Sequence, residues 1–210
     1  MWFDAVLAVV ALAAALSTRP WRAVGAGGPP WPWLAWAAAL PLLWGADRVA
    51  DTPLALPLSG ACLLMLMAGW PLAVLVFVPV AAVSALAGGL DAALALQRAV
   101  GLGLLPATLA MALAAAIRRW LPNHLFVYIL GRGFFATALA LTASAALQLL
   151  VHAPPATVAA GDWLLARALA SWGDAFLTGM LVAIFVAFRP QWLATYADRV
   201  WLPRDGPPAA

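Results

Sequence analysis

The chain has 210 residues, of which 66% are hydrophobic and 9% charged, with a mean hydropathy of +0.98 and a net charge of +3. Soluble domains carry about 25% charged residues, so this is the composition of a multi-pass membrane protein without a separate soluble domain. All 11 basic residues are arginine and all 8 acidic residues are aspartate. With no lysine, a P-loop ATPase and any Schiff-base chemistry are excluded. The single cysteine, Cys62, excludes an intrachain disulfide and a Cys-x-x-Cys motif. The modest charge gives nucleic-acid binding no support.

Residues 2–17 form the first apolar run, followed by Arg19 and Arg22. Asp4 and the missing basic n-region argue against a signal peptide, so a short first helix is expected. Residues 23–33 read as a Gly-, Pro- and Trp-rich loop. The run 34–46 is short and holds Pro41, and the polar connection after it carries Asp47, Arg48 and Asp51. A further short run, 55–69, ends at Gly69-Trp70-Pro71, a tight connection into a fourth segment at 71–88, because proline suits a first helical turn. The fifth segment opens at Asp91, reaches Arg118-Arg119-Trp120, and should kink at Pro106. Leu121-Pro122-Asn123 turns into a sixth helix over 124–151, a loop follows at 153–162, and a seventh helix runs from Trp163 to Phe188. The expectation is an all-α membrane bundle over 1–190 of about seven segments, or six if one short early segment does not span. A short tail over 191–210 follows it.

Placing the N-terminus outside puts Arg19, Arg22, Arg118, Arg119, Arg189, Arg199 and Arg204 on the inner side, against Arg48 alone on the outer side. That is a clear positive-inside bias, so the C-terminus is expected in the cytoplasm of a bacterial inner membrane. Trp2, Trp21, Trp31, Trp33, Trp44, Trp70, Trp120 and Trp163 all lie near segment ends, as an interfacial belt requires. In the tail, Trp192, Tyr196 and Val200 recur every four residues and predict a short amphipathic turn on the inner surface.

The seventh helix carries the strongest polar pattern. Arg167, Ser171, Asp174 and Thr178 fall at i, i+4, i+7 and i+11, on one helix face, and in a membrane that face must meet protein or water. A milder stripe on the sixth helix, Gly133, Thr137, Ser144 and Gln148, permits close approach and interhelical hydrogen bonding. The two stripes are expected to face each other. Arg132 interrupts the sixth helix between Gly131 and Gly133. Three roles are open to it: a substrate site shared with Asp174 and Thr178, a structural ion pair with Asp174, or snorkelling to the cytoplasmic interface. Cys62 and Met65 would suit a soft metal, but both are ordinary apolar fillers and are weak candidates. His124 and His152 sit at opposite ends of one helix and read as interfacial residues. Ser59, Ser84, Ser144 and Ser171 lack a nucleophile-elbow or histidine-partner pattern, so no enzyme activity is expected.

Three stretches carry a family resemblance. One is Arg119-Trp120-Leu121-Pro122-Asn123-His124-Leu125-Phe126-Val127-Tyr128-Ile129, continuing to Gly133-Phe134-Phe135-Ala136-Thr137. Another is Asp174-Ala175-Phe176-Leu177-Thr178-Gly179-Met180, leading to Phe188-Arg189-Pro190-Gln191-Trp192-Leu193-Ala194-Thr195-Tyr196. The Leu66-Met67-Ala68-Gly69-Trp70-Pro71 connection is the third. Together they resemble the proteobacterial energy-coupling-factor ABC transporter permeases related to the cobalt/nickel substrate-capture component. The resemblance implies a helical substrate-capture subunit working with a transmembrane coupling subunit and ATPase subunits. Metal-binding members begin Met-His and use a second histidine in the third-helix region; here position 2 is Trp2 and Leu58-Ser59-Gly60 has no histidine. Relatives tend to place Glu where this chain has Asp174, and Asn where it has Arg132. The cobalt/nickel site therefore does not carry over, no resident cofactor is expected, and a bound metal ion would be substrate. The function expected is capture of a transition-metal ion or a small cofactor for import. The alternative is a non-transporting assembly or chaperone protein for a metal-handling or respiratory complex.

Overall fold

The computed structural model describes residues 2–24, 31–45, 56–154 and 158–202. Asp47, Arg48 and Asp51 of the polar connection, and Arg204 and Asp205 of the tail, lie outside these residues. The described chain is helical, with no strand among the described residues. In order it forms α1 (Trp2–Ser17), α2 (Trp31–Trp44), α3 (Ala61–Ala68), α4 (Trp70–Gly88), α5 (Ala92–Trp120), α6 (Val127–Val151), α7 (Ala160–Phe188) and a final short turn of helix, α8 (Asp198–Trp201). Four of them, α4 to α7, are long and apolar enough to cross a bilayer.

α1 and α2 are shorter, at 16 and 14 residues, and the run expected over 55–69 departs furthest from a span. Only eight residues of it are helical, α3, and all eight are buried. Eight residues span roughly 12 Å, less than half of a hydrocarbon core of about 30 Å. Residues 56–60 before it have no regular secondary structure. The segment is therefore a half-helix enclosed by the bundle. Non-helical backbone inside a membrane is tolerated only where protein or water covers it, and Ser59 and Gly60 at the entry to α3 are buried in protein.

Gly60 makes the entry into α3. Its φ is +61°, and a Cβ built there would lie 2.7 Å from Leu40 Cδ2 of α2. Glycine meets both demands, the left-handed backbone and the close approach. Gly69, at φ +82°, then reverses the chain between α3 and α4.

The predicted kink at Pro106 is accommodated by a widened, π-helical turn over Ala99–Leu104, in which the Leu105 N–H reaches back to the Val100 carbonyl. The physical cause is local. Proline cannot donate, and its ring crowds the carbonyl four residues earlier, which is Leu102. That carbonyl is taken instead by the Ser59 hydroxyl at 2.6 Å. A second π-helical stretch, Val127–Phe135, opens α6.

The two polar stripes meet only in part. Gly133 and Gly179 bring α6 and α7 close, since a Cβ on Gly133 would sit 3.4 Å from Gly179 Cα. Higher up, Ser144 and Gln148 turn to α5 and donate to the carbonyls of Gly101 and Gln97. Thr142, outside the stripe, is the residue that bonds Ser171, at 2.8 Å. At that same end of the bundle His152 lies 3.0 Å from the buried Asp4 carboxylate. His152 therefore ties α6 to α1 and is not a lone interfacial histidine.

Candidate functional site

The buried face of α7 is the face the spacing indicated: Ser171, Asp174 and Thr178 are all buried. Asp174 points at the start of α3. Its carboxylate accepts the Ser59 N–H at 2.6 Å and the Gly60 N–H at 3.3 Å. Those amides belong to the unpaired donors at the N-terminus of a helix, where the helix dipole also favours negative charge. The Ser59 hydroxyl accepts a third, from Ala61, at 3.2 Å. The carbonyls of the same segment are met by two indoles of α2: Trp44 Nε1 donates to Ser59 O at 2.8 Å and Trp36 Nε1 to Gly60 O at 2.9 Å. Burial without partners would cost each of these groups about 1–3 kcal/mol, so α7 and α2 together make the break in the helix affordable. Trp33 and Trp44 are thus core residues, not members of an interfacial belt; Trp2, Trp21, Trp31 and Trp120 are exposed as the belt requires.

The other end of α3 is held by the tail. Ala194 N–H donates to Met67 O at 3.1 Å, and Thr195 donates to Leu66 O through both its N–H (3.3 Å) and its hydroxyl (3.0 Å). Tyr128 of α6 bonds the same hydroxyl at 2.8 Å. Leu193, Tyr196 and Trp201 are buried. The tail expected as an amphipathic turn on the surface is a strap instead, a turn at Pro190–Trp192, then non-helical backbone, then α8. The unfilled carbonyls of a buried helix end supply the reason.

Arg132 belongs to this tail end. Its guanidinium lies 5.2 Å from the Tyr128 ring centre and 5.7 Å from that of Trp201, and it donates a long 3.4 Å bond to Thr195 O. The ion pair with Asp174 does not form: Asp174 caps the start of α3, while Arg132 lies with the tail residue Thr195 at its other end. Arg132 therefore leaves the candidate site.

What remains around Asp174 is a small cavity of about 20 Å³ with mixed polar and apolar walls. Ser59, Gln148, Arg167, Ser171 and Asp174 line it, with Gly101 and Leu102 of the widened turn. That volume accommodates about one water. Arg167 donates to Pro57 O at 3.5 Å, stacks over Trp163 at 5.5 Å, and adds favourable charge toward Asp174. Thr178, one turn from Asp174, is buried and its hydroxyl has no hydrogen-bond partner. Cys62 is buried in α3 with its sulfur 3.8 Å from Pro106 O, and Met65 is buried in the same helix. Among the described residues, no three of His, Cys, Asp and Glu gather into a metal-sized group.

Ser59, Gly60, Trp44 and Gln148 complete the site, and only Gln148 lay in a pattern that pointed there. Trp36 and Trp44, eight residues apart on one face of α2, were the available signal for the others. No protein family, curated protein or solved structure matches the chain.

Proposed function

We propose that the chain is the membrane-embedded capture subunit of an importer on the energy-coupling-factor plan. In this reading its N-terminus is outside, its C-terminus is cytoplasmic, and it works with a coupling subunit and ATPases in a bacterial inner membrane. One observation carries the reading: a half-helix that stops inside the bundle at Asp174, beside a small cavity whose polar side is formed by Ser59, Arg167, Ser171, Gln148 and Asp174. Interrupted helices whose ends meet polar groups at mid-depth are the way secondary transporters build solute sites. The polar groups at this cavity are hydroxyl, amide, carboxylate and guanidinium groups. They favour a small polar solute over a metal that seeks imidazole or thiolate ligands. At about 20 Å³ the cavity as it stands holds about one water, so in this reading a larger solute requires it to open.

The test is purification from the native host in mild detergent, with mass spectrometry of associated proteins, small molecules and elements. Two ATPases with a coupling subunit and a stoichiometric solute are expected. Recovery with an oxidase or metal pump, and without ATPases, would overturn the reading in favour of an assembly protein.

A further inference from the structure

One flank of the bundle holds a second cavity that solute capture leaves unused. It lies between α1, α4 and α5, measures about 380 Å³, and every side chain that lines it is Ala, Val, Leu or Phe. Its floor is buried, at Val74 and Phe77 of α4 and Ala99 and Leu104 of α5. Its mouth is exposed, at Val78, Ala82 and Ala92. The sequence builds this space. Seven of the thirteen lining residues are alanine, too short to fill the gap between three helices. Pro79 interrupts the hydrogen-bond ladder of α4 midway along the wall, and the widened turn of α5 supplies both Ala99 and Leu104. α1 could close the space only by moving inward, and its start is pinned to α6 by the 3.0 Å contact of Asp4 with His152.

We propose that this cavity binds one acyl chain of a bilayer phospholipid. The lining excludes water, which needs polar partners to stay bound, and no lining side chain offers one. The dimensions separate a lipid chain from a helix of a partner protein. The α4 wall runs from Val74 to Ala85, about 16 Å of helix. Spread over that length, 380 Å³ corresponds to a cross-section of roughly 23 Å². A helix about 10 Å across would need roughly 80 Å², whereas a single hydrocarbon chain fits the smaller figure. The mouth selects the source. α4 and α5 are both long and apolar enough to cross a bilayer, and Val78 at the mouth is 51% exposed, so the opening faces the hydrocarbon core, where phospholipid chains are the solvent. Phe77 in the floor packs on Trp44 at 6.0 Å between ring centres, and Trp44 bonds Ser59 O, so a bound chain supports the wall behind the entry to α3. The proposal needs the membrane placement but not transport.

The experiment is native mass spectrometry of the full chain, purified in mild detergent and delipidated. It is titrated with phosphatidylcholine and with phosphatidylglycerol of equal chain length. One lipid per chain is expected to bind more tightly than the rest, without preference between headgroups, because no charged side chain lines the cavity. Ala81→Phe fills the space from α4 and Ala95→Leu fills it from α5. Each should weaken that first lipid by about fivefold or more, from the usual penalty of forcing extra methylenes into an occupied site. Leu150→Phe, at an exposed position on α6, should leave it unchanged. Without added lipid the filled variants should melt no lower than wild type, since their added groups enter the cavity. Unchanged lipid affinity in a filled variant that folds would overturn the proposal. Failure of both filled variants to fold would overturn it too, by showing that the space does not accept added hydrocarbon. A strong headgroup preference of the first lipid would also overturn it, by assigning that lipid to a charged surface elsewhere.

Discussion

Asp174→Ala removes the acceptor that holds the start of α3. The Ser59 and Gly60 amides, bonded at 2.6 and 3.3 Å, would be left buried without partners, at about 1–3 kcal/mol each. The lost interaction with the helix dipole adds up to about 2 kcal/mol in a partly buried setting. Against this, the cost of keeping a carboxylate buried disappears. The net destabilisation is about 2–4 kcal/mol, which for a chain of this length lowers the melting temperature by roughly 4–16 °C. Asp174→Asn keeps one oxygen for Ser59 and turns an amide donor toward Gly60, so it should fall between wild type and alanine. The assay is heating of a fluorescent-protein fusion in detergent, followed by size-exclusion chromatography. A melting temperature for Asp174→Ala within about 1 °C of wild type would refute the capping role. If solute uptake were then lost, Asp174 would belong to the solute alone.

Gly60→Ala puts a methyl group 2.7 Å from Leu40 Cδ2 at a backbone φ of +61°. It should cost about 2–4 kcal/mol from overpacking and left-handed strain together, read in the same assay. Thr195→Val keeps the shape but loses hydroxyl bonds to Tyr128 and Leu66, worth about 1 kcal/mol each. Proteolysis of the strap should then accelerate by roughly thirtyfold, while unchanged cleavage would mean that the strap is held elsewhere. Tyr196 lies outside the spanning helices, and its burial, reinforced by Asp198, pushes its phenol up to about 12. A raised folded-state pKa means that stability is intact below the unfolded value of about 10 and is lost as pH rises through the folded one. Absorbance at the tyrosinate band, wild type minus Tyr196→Phe, should therefore titrate late, near unfolding.

The long helices were legible because an apolar run of sufficient length has one stable form in a bilayer. The buried stripe of α7 was legible because 3.6-residue spacing places Ser171, Asp174 and Thr178 together whatever surrounds them. Their partners were not, because a partner is a tertiary fact. Arg132 and Asp174 are two opposite charges on adjacent helices, and spacing alone allows them to meet. What separates them is α3, which looked like a short span because its composition is that of one. Its enclosure depends on Gly60 and on the Leu102 carbonyl that Pro106 crowds, which no periodicity displays. The tail misled for a related reason: its four-residue repeat of aromatics fits a surface helix, yet the open carbonyls of Leu66 and Met67 draw Ala194 and Thr195 inward.

A rigid rod pinned by hydrogen bonds at both ends can transmit a displacement, and α3, though packed along its whole length, is pinned in that way. Asp174 holds one end, Thr195 the other, and roughly 12 Å of helix lies between them. Sites so far apart with no shared partner normally contribute to stability independently, within about 0.5 kcal/mol. A rigid half-helix makes the opposite prediction. Once Asp174→Ala frees the first end, α3 no longer presents Leu66 and Met67 in register, and Thr195→Val has less left to lose. The double variant should therefore be less destabilised than the sum of the singles by about 1 kcal/mol. A docked or undocked strap would then supply the two-state element that coupling between distant sites requires. Strict additivity of the two substitutions would show that the ends of α3 are fixed separately, and that occupancy of the cavity has no route to the tail through this helix.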